Sequence, residues 1–364
     1  MIFENRLENV RKTMRELELD TFLVSIGENR RYLSGYTGED TQFDETAGVL
    51  IITQDRLLLA TDSRFTLQAE REAPLFTIRQ YEKGLFKELP DYLKELNSRK
   101  TGFESRRMSF SQYTEMSEEI KSKDLSIEWV PTDNIVEKFR IIKDEFEIGK
   151  TREALALAEA AYRDITVKIK PGMTEKEIAW MMEVKMRESG ADSLSFPTIC
   201  ASGPNSALPH AIPEDRKVRE GEPLLFDWGV RLNGYCSDTS RTIFLGKPDE
   251  TFLKIHETVQ KAQRKAIEAI RAGVSGRDID AIARNYIDEM GYKGAFGHGL
   301  GHGTGLAVHE GPRLSPLSDS ILEPGMIVTV EPGIYIGRWG GVRIENQVVV
   351  REDCAEVLNK LDVF

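Results

Sequence analysis

Apolar residues recur at roughly helical spacing from Ile2 through Phe3, Leu7, Val10 and Met14 to Leu17. Glu4, Arg6 and Glu8 interrupt them, so this start reads as an amphipathic helix and not as a signal peptide or a membrane span. Short apolar runs follow at 21–26 (TFLVSI), 47–53 (AGVLIIT), 56–61 (RLLLAT) and 75–80 (LFTIRQ), which predict strands. RFTLQAEREA and LFKELPDYLKEL carry helical periodicity. The alternation predicts an α/β domain with a mostly buried sheet over 1–130. Pro131 and the polar residues after it predict a linker over 131–144, and a long charged helix beginning near Asp144 opens a second domain, 145–364.

That second domain repeats itself. IKPGMTEKEIAWMMEVKMRESG (169–190) aligns without a gap on IRAGVSGRDIDAIARNYIDEMG (270–291), so that Gly172 matches Gly273, Thr174 Ser275, Glu177 Asp278, Ile178 Ile279 and Gly190 Gly291. In each copy a glycine ends one helix, a hydroxyl residue caps the next and a second glycine ends that one. The pattern predicts two similar helix–helix–sheet halves.

Polar residues that interrupt apolar strands are where chemistry is sought. In PLLFDWGVRLNGYCSDTSRTIF, Asn233-Gly234 predicts a two-residue type I′ hairpin. Leu232 then pairs with Tyr235, Asp227 faces Ser240, and Asp238 lies two residues away on the same face, where diagonal neighbours are about 7–8 Å apart. Two solvated aspartates beside a turn would be the plainer account, but Asp227 sits among Leu224, Leu225, Phe226 and Trp228, where an unpaired carboxylate is costly. GMIVTVEPGIYI places Glu331 at the end of the apolar strand 326–330, and GVRIENQVVV reads as one strand with Arg343 and Glu345 on one face and Val342 and Ile344 on the other. A paired core charge would explain either glutamate alone; two related halves that each offer two carboxylates predict a shared site.

GHGLGHGTGLAVHEGP (297–312) holds three of the chain's five histidines, with glycine at every second position from 297 to 305. Each glycine costs a helix about 0.8–1.0 kcal/mol, and no glutamate follows His298 to make the helical zinc motif. Phosphate-loop spacings are missing as well. Read as an extended strand, His298, Leu300, His302 and Thr304 share one face and glycines leave the other open to close approach. Composition narrows the partners. The 364 residues carry a formal charge of −11, which argues against nucleic acid. Cys200, Cys236 and Cys354 form no spaced pair and read as reduced core thiols of a cytoplasmic protein.

Together DWGVRLNGYCSDTSRT, HGLGHGTGLAVHEGP, EPGIY and GVRIEN resemble, in order and approximate spacing, the pita-bread-fold metallopeptidases: aminopeptidase P, prolidase and methionine aminopeptidase, peptidase family M24. The resemblance covers the whole chain and implies a creatinase-like N-terminal α/β domain ahead of a pita-bread catalytic domain with an internal pseudo-twofold repeat. It implies that Asp227, Asp238, His302, Glu331 and Glu345 hold two divalent ions, Mn2+ first, with Co2+, Fe2+ or Zn2+ as alternatives. Four carboxylates balance two such ions, and the mostly oxygen donor set suits them. The implied reaction is attack by a metal-bridging hydroxide on the bond before proline. Glu331 would shuttle the proton, and His210, His298 and His309 would face the substrate. Arg313 would hold a substrate carboxylate, with Arg343 and Ser240 supporting the ligands. The SALPHA context of His210 ranks aminopeptidase P first and prolidase (Xaa-Pro dipeptidase) as the alternative. Intact ligand positions weigh against a creatinase-like hydrolase and against a non-enzymatic binding module. The expected partners are a proline-containing peptide and further copies of this chain, as dimer or tetramer, with neither nucleic acid nor membrane.

Overall fold

Three of the four apolar runs near the N-terminus form the middle of a six-stranded sheet, and the fourth, at 75–80, forms one edge. In this computed structural model, which describes residues 2–40, 42 and 45–362, the chain divides into two units, residues 1–140 and 141–364. The first unit contains helices α1 (Ile2–Glu16), α2 (Gly27–Ser34), α3 (Thr66–Glu72), α4 (Leu85–Glu95), α5 (Phe110–Ser122) and α6 (Glu137–Arg140). Its strands are β1 (Thr21–Val24), β2 (Val49–Thr53), β3 (Leu57–Thr61), β4 (Thr77–Gln80), β5 (Lys100–Glu104) and β6 (Glu128–Thr132). They lie in the order β4-β3-β2-β1-β5-β6, with β1 and β2 buried along their whole length. Leu23, Ile51, Leu58 and Phe103 of the sheet pack with Leu89 and Leu93 of α4 and Met116 and Ile120 of α5.

Two strands escape the apolar pattern. β5 (KTGFE) pairs parallel to β1, yet Phe103 is its one large apolar residue. Gly102 occupies the middle because a Cβ there would meet Leu19 Cδ1 at 2.6 Å. β6 is an edge strand that includes Pro131, a residue that edges tolerate. β5 ends in the buried Glu104, which accepts from the amides of Ser25 and Ile26 and from Asn29 Nδ2, each at 2.6 Å, at the start of α2. Burial pushes its pKa up to about 7.

The second unit is built twice over. Helices α7 (Glu145–Thr166) and α8 (Glu175–Glu188) belong to one half, α9 (Glu250–Ala269) and α10 (Gly276–Ile287) to the other. Asp144, Thr174, Asp249 and Ser275 cap the four N-termini through their side chains. Gly172 and Gly273, like Gly190 and Gly291, all take positive φ, as the sequence repeat requires. The first half's strands are β7 (Ser193–Leu194), β8 (Ile199–Ser202), β9 (Pro223–Trp228), β10 (Val230–Leu232), β11 (Tyr235–Cys236) and β12 (Thr239–Phe244). The second half's are β13 (Gly301–Gly303), β14 (Glu310–Leu314), β15 (Ile327–Val330), β16 (Gly333–Ile336), β17 (Gly340–Arg343), β18 (Asn346–Val350) and β19 (Ala355–Val357). Each half has its own core. Trp228 stacks on Tyr162 at 4.4 Å in the first, and Val259 and Ala262 of α9 meet Val328, Val330 and Val348 in the second.

Each half also contains one long hairpin whose register runs unchanged through a break. In the first, Leu232↔Tyr235 next to the turn and Asp227↔Ser240 beyond the break keep one register, with Asn233 and Gly234 at φ of 51° and 85°. The break falls at Gly229 and at Ser237–Asp238, where a Cβ on Gly229 would come within 2.0 Å of the Ser237 carbonyl. In the second, Gly333↔Arg343 and Val330↔Asn346 share one register, interrupted at 331–332 and 344–345.

This corrects the reading of GVRIENQVVV as one strand: β17 stops at Arg343 and β18 starts at Asn346, because the chain there passes from a two-stranded to a five-stranded sheet. The extended segment expected over 298–304 shrinks likewise to Gly301–Gly303. A bulge falls between His302 and Gly303, and Leu300 joins the apolar core. Gly301 and Gly303 do allow the close approach expected of them: a Cβ would lie 2.0 Å from the Thr329 carbonyl and 1.9 Å from that of Gly311. Cys200 and Cys236 are buried, but Cys354 is exposed in the turn between β18 and β19, so it is not a core thiol. No helix among the described residues is long and apolar enough to cross a membrane.

Candidate metal centre

The two hairpin breaks converge. Asp227 comes from β9 and Asp238 from the first break; Glu331 and Glu345 face each other across the second, one step beyond the Val330↔Asn346 pair. His302 stands between them on β13. Donor atoms of Asp238, His302 and Glu345 lie within 4.8 Å of one another, and Glu331 Oε1 is 3.4 Å from His302 Nε2. All five positions anticipated from the sequence therefore line one region, most of it buried.

Local chemistry orients each side chain. His302 Nδ1 donates to the Gly303 carbonyl at 3.1 Å, which leaves the Nε2 lone pair aimed at the carboxylates of Asp238 (3.6 Å) and Glu331. The Thr329 hydroxyl accepts from the His302 amide at 3.0 Å and donates to Glu331 Oε1 at 3.2 Å. Ser240 Oγ donates to Glu345 Oε2 at 2.9 Å, and the Asp238 amide donates to Gln347 Oε1 at 3.0 Å. Gln347 Nε2 in turn reaches Thr304 Oγ1 at 2.6 Å, tying the first break to the histidine strand. Arg343, buried, donates to Asp227 Oδ2 at 2.6 Å, to Ser240 Oγ at 2.8 Å, and to Tyr335 Oη and the Pro209 carbonyl at 2.9 and 3.0 Å.

Burial dominates the electrostatics. It pushes Asp238 well above the ordinary carboxylate range, with the Glu345, Asp227 and Glu331 charges adding to it. Glu345 is raised in the same way, first by burial and then by Glu331 and Asp227. Glu331 rises to about 8 through burial, against the opposing pull of Arg343. His302 falls to about 3, because burial and the neighbouring His309 disfavour its charged form. Burial opposes the Arg343 charge too, yet Tyr335, Asp227 and Glu331 around it raise its pKa well above the ordinary value.

These residues fit divalent cations. Asp227 Oδ1 is buried without a hydrogen-bond donor among the described residues, and three acceptors crowd His302 Nε2. Such an arrangement is costly for a protein alone and is relieved by positive charge at its centre. The mixture of carboxylate oxygen with one imidazole suits first-row divalent ions.

The remaining anticipated residues surround this centre unequally. His309 is exposed, with its ring 4.3 Å from that of His302 and nearly perpendicular to it. His210 is exposed on a loop that Arg343 anchors through Pro209. Arg313, exposed on β14, is the register partner of His302, and its charge acts on Glu331, His302 and His309. His298 is tied down: Nδ1 bonds the Gly299 carbonyl at 2.8 Å and Nε2 meets Tyr335 Oη at 2.9 Å. Burial lowers its pKa to about 4, so the neutral ring accepts the tyrosine proton. Tyr335 and Gln347 were not picked out in the sequence, although both break an apolar strand pattern with a hydrogen-bonding group.

Comparison with known proteins follows the same division of the chain. Residues 149–352 match the model of metallopeptidase family M24, and residues 6–142 match the creatinase/prolidase N-terminal domain. A curated relative named Xaa-Pro dipeptidase, from Pyrococcus furiosus, is 36% identical over 99% of both chains. The solved structure of an Xaa-Pro dipeptidase from Bacillus anthracis superposes with a TM-score of 0.92 at 39% identity, covering 99% of this chain and 98% of that one. An X-Pro aminopeptidase from Thermotoga maritima gives 0.87 at 36% identity, covering 97% and 99%.

Proposed function

The chain belongs to metallopeptidase family M24, and within that family we propose that it is an Xaa-Pro dipeptidase working with two divalent ions, of which Mn2+ is the first candidate. The observation that carries the reading is the meeting of four carboxylates and a neutral imidazole, with Asp227 Oδ1 lacking a donor among the described residues. Asp227, Asp238, His302, Glu331 and Glu345 would hold the ions, which supply an acidified water and a polarised scissile carbonyl when bound.

The chain's own groups do the rest. Glu331, beside Thr329 Oγ1, takes up a proton and returns it to the proline nitrogen as the peptide bond breaks. His309, and His210 on its anchored loop, lie on the open side and steady the oxygen that gains charge. Arg343 holds Asp227 in one orientation, and Ser240 does the same for Glu345. Through Tyr335, Arg343 also reaches His298, which acts on the substrate side in its neutral form.

The SALPHA context of His210 points to aminopeptidase P, but relatives named Xaa-Pro dipeptidase support the other specificity better. Arg313 supports it independently. It is an exposed cation opposite His302, suited to the carboxylate that ends a dipeptide just past the scissile bond. A Gly-Pro dipeptide compared with a Gly-Pro-Pro tripeptide, each with Mn2+, Co2+, Fe2+ and Zn2+, tests the reading. Cleavage confined to the dipeptide is expected; preference for the tripeptide would restore aminopeptidase P, and no cleavage of either would reject Xaa-Pro hydrolysis.

A further inference from the structure

On helix α9, Val259, Ala262 and Ala266 are fully buried and apolar, yet Gln263 is buried beside them. A primary amide in that position is costly unless it is paired. Its Nε2 bonds two backbone carbonyls, Val330 O at 2.9 Å and Ile344 O at 3.1 Å. Each of those carbonyls belongs to the residue immediately before a glutamate of the site.

A peptide unit is planar, so a fixed carbonyl also fixes the Cα that follows it. Gln263 therefore holds the backbone origins of Glu331 and Glu345 from one side chain. The regular ladder that could do this is interrupted here: only a long 3.4 Å bond from the Ile344 amide to the Pro332 carbonyl crosses between 331–332 and 344–345. The Glu331 and Glu345 amides turn elsewhere, to the carbonyls of Leu300 and Ser240. One side chain of α9 thus clips the two strands together just where their own ladder is open.

We propose that Gln263 is a positioning residue that sets the separation of the Glu331 and Glu345 carboxylates, and through it the affinity of the site for divalent cations. This rests on the metallopeptidase reading above, because without bound cations the separation has no consequence.

The test is calorimetric titration of the full chain, stripped with EDTA, with Mn2+. Gln263→Met, which keeps the volume and loses both bonds, is compared with Val259→Ala, which weakens the packing of the same helix but leaves both Gln263 bonds in place. Thermal melts in EDTA report how far each is destabilised. Expected is about 10- to 100-fold weaker Mn2+ binding by Gln263→Met, with wild-type affinity retained in Val259→Ala. Wild-type affinity in Gln263→Met, or an equal loss in Val259→Ala, would overturn the proposal while leaving the metal centre intact. A wild-type chain that takes up no Mn2+ would overturn the function and the proposal together. Should Gln263→Met fail to fold, Gln263→Asn, with its amide one methylene short, carries the same expected and refuting results.

Discussion

Replacing Glu331 by glutamine should stabilise the metal-free protein, the reverse of what most substitutions of buried groups do. Burial pushes the Glu331 carboxyl up to about 8 in the folded chain from an ordinary value of 4.5. A carboxyl raised in this way makes a contribution that is fully present below pH 4.5 and is lost as pH climbs towards 8, because the folded state binds the proton that the unfolded state has released. At pH 7 the difference amounts to about 3 kcal/mol. Glutamine keeps the oxygen that Thr329 donates to and cannot ionise, so the variant escapes this loss. For a unit the size of residues 141–364, where each kcal/mol moves the melting temperature by about 2–4 °C, Tm in EDTA should rise by roughly 6–12 °C at pH 7 and hardly change at pH 4.5. Saturating Mn2+ should reverse the order, since ligands stabilise by mass action and the variant has lost a donor. The assay is calorimetric melting from pH 4.5 to 8, with EDTA and with Mn2+. A variant that melts below wild type in EDTA at pH 7, with an unchanged slope against pH, would refute the placing of Glu331 in a desolvating site beside the Asp227 charge.

Further outcomes follow from the same geometry. Asp238→Asn should abolish Gly-Pro hydrolysis and Mn2+ uptake while leaving circular dichroism unchanged; full activity would reject the ligand assignment. Arg313→Ala should raise KM for Gly-Pro with little change in kcat or Mn2+ affinity, so a fall in kcat alone would place that cation elsewhere in the reaction. Arg343→Met leaves Asp227 buried without its partner, a change that costs about 3–5 kcal/mol; in urea unfolding of the metal-free protein, a loss below about 1 kcal/mol would contradict the buried pair. In the N-terminal unit, Glu104→Leu strips the acceptor from two amides and Asn29, at about 1–3 kcal/mol for each donor left unpaired. A melting temperature equal to wild type at pH 6 would show that α2 does not depend on it.

Local signals in this chain are legible because they are complete within a few residues. Thr174 and Ser275 cap helices at matching places because a side-chain oxygen needs only the amide three residues on. Asn233-Gly234 set the hairpin register because two residues at positive φ suffice for that turn, and the register carried Asp227 to Ser240 as expected. β5 carries no such signal, since its neighbours, and not its own apolar content, make it an interior strand.

By itself, then, the sequence determined the repeated halves, the hairpin that presents Asp227 and Asp238, and the residue types able to hold metal. The tertiary structure alone decided where the ladders break, and so which carboxylates turn towards one another. It also decided that Arg343 takes one oxygen of Asp227 and leaves the other without a donor among the described residues, and that Gln263 and Gln347 reach residues 67 and 109 positions away in the chain. The reason is physical: turns, caps and periodicity depend on neighbours in sequence, whereas the meeting of two hairpins depends on how two separate cores pack against their own helices.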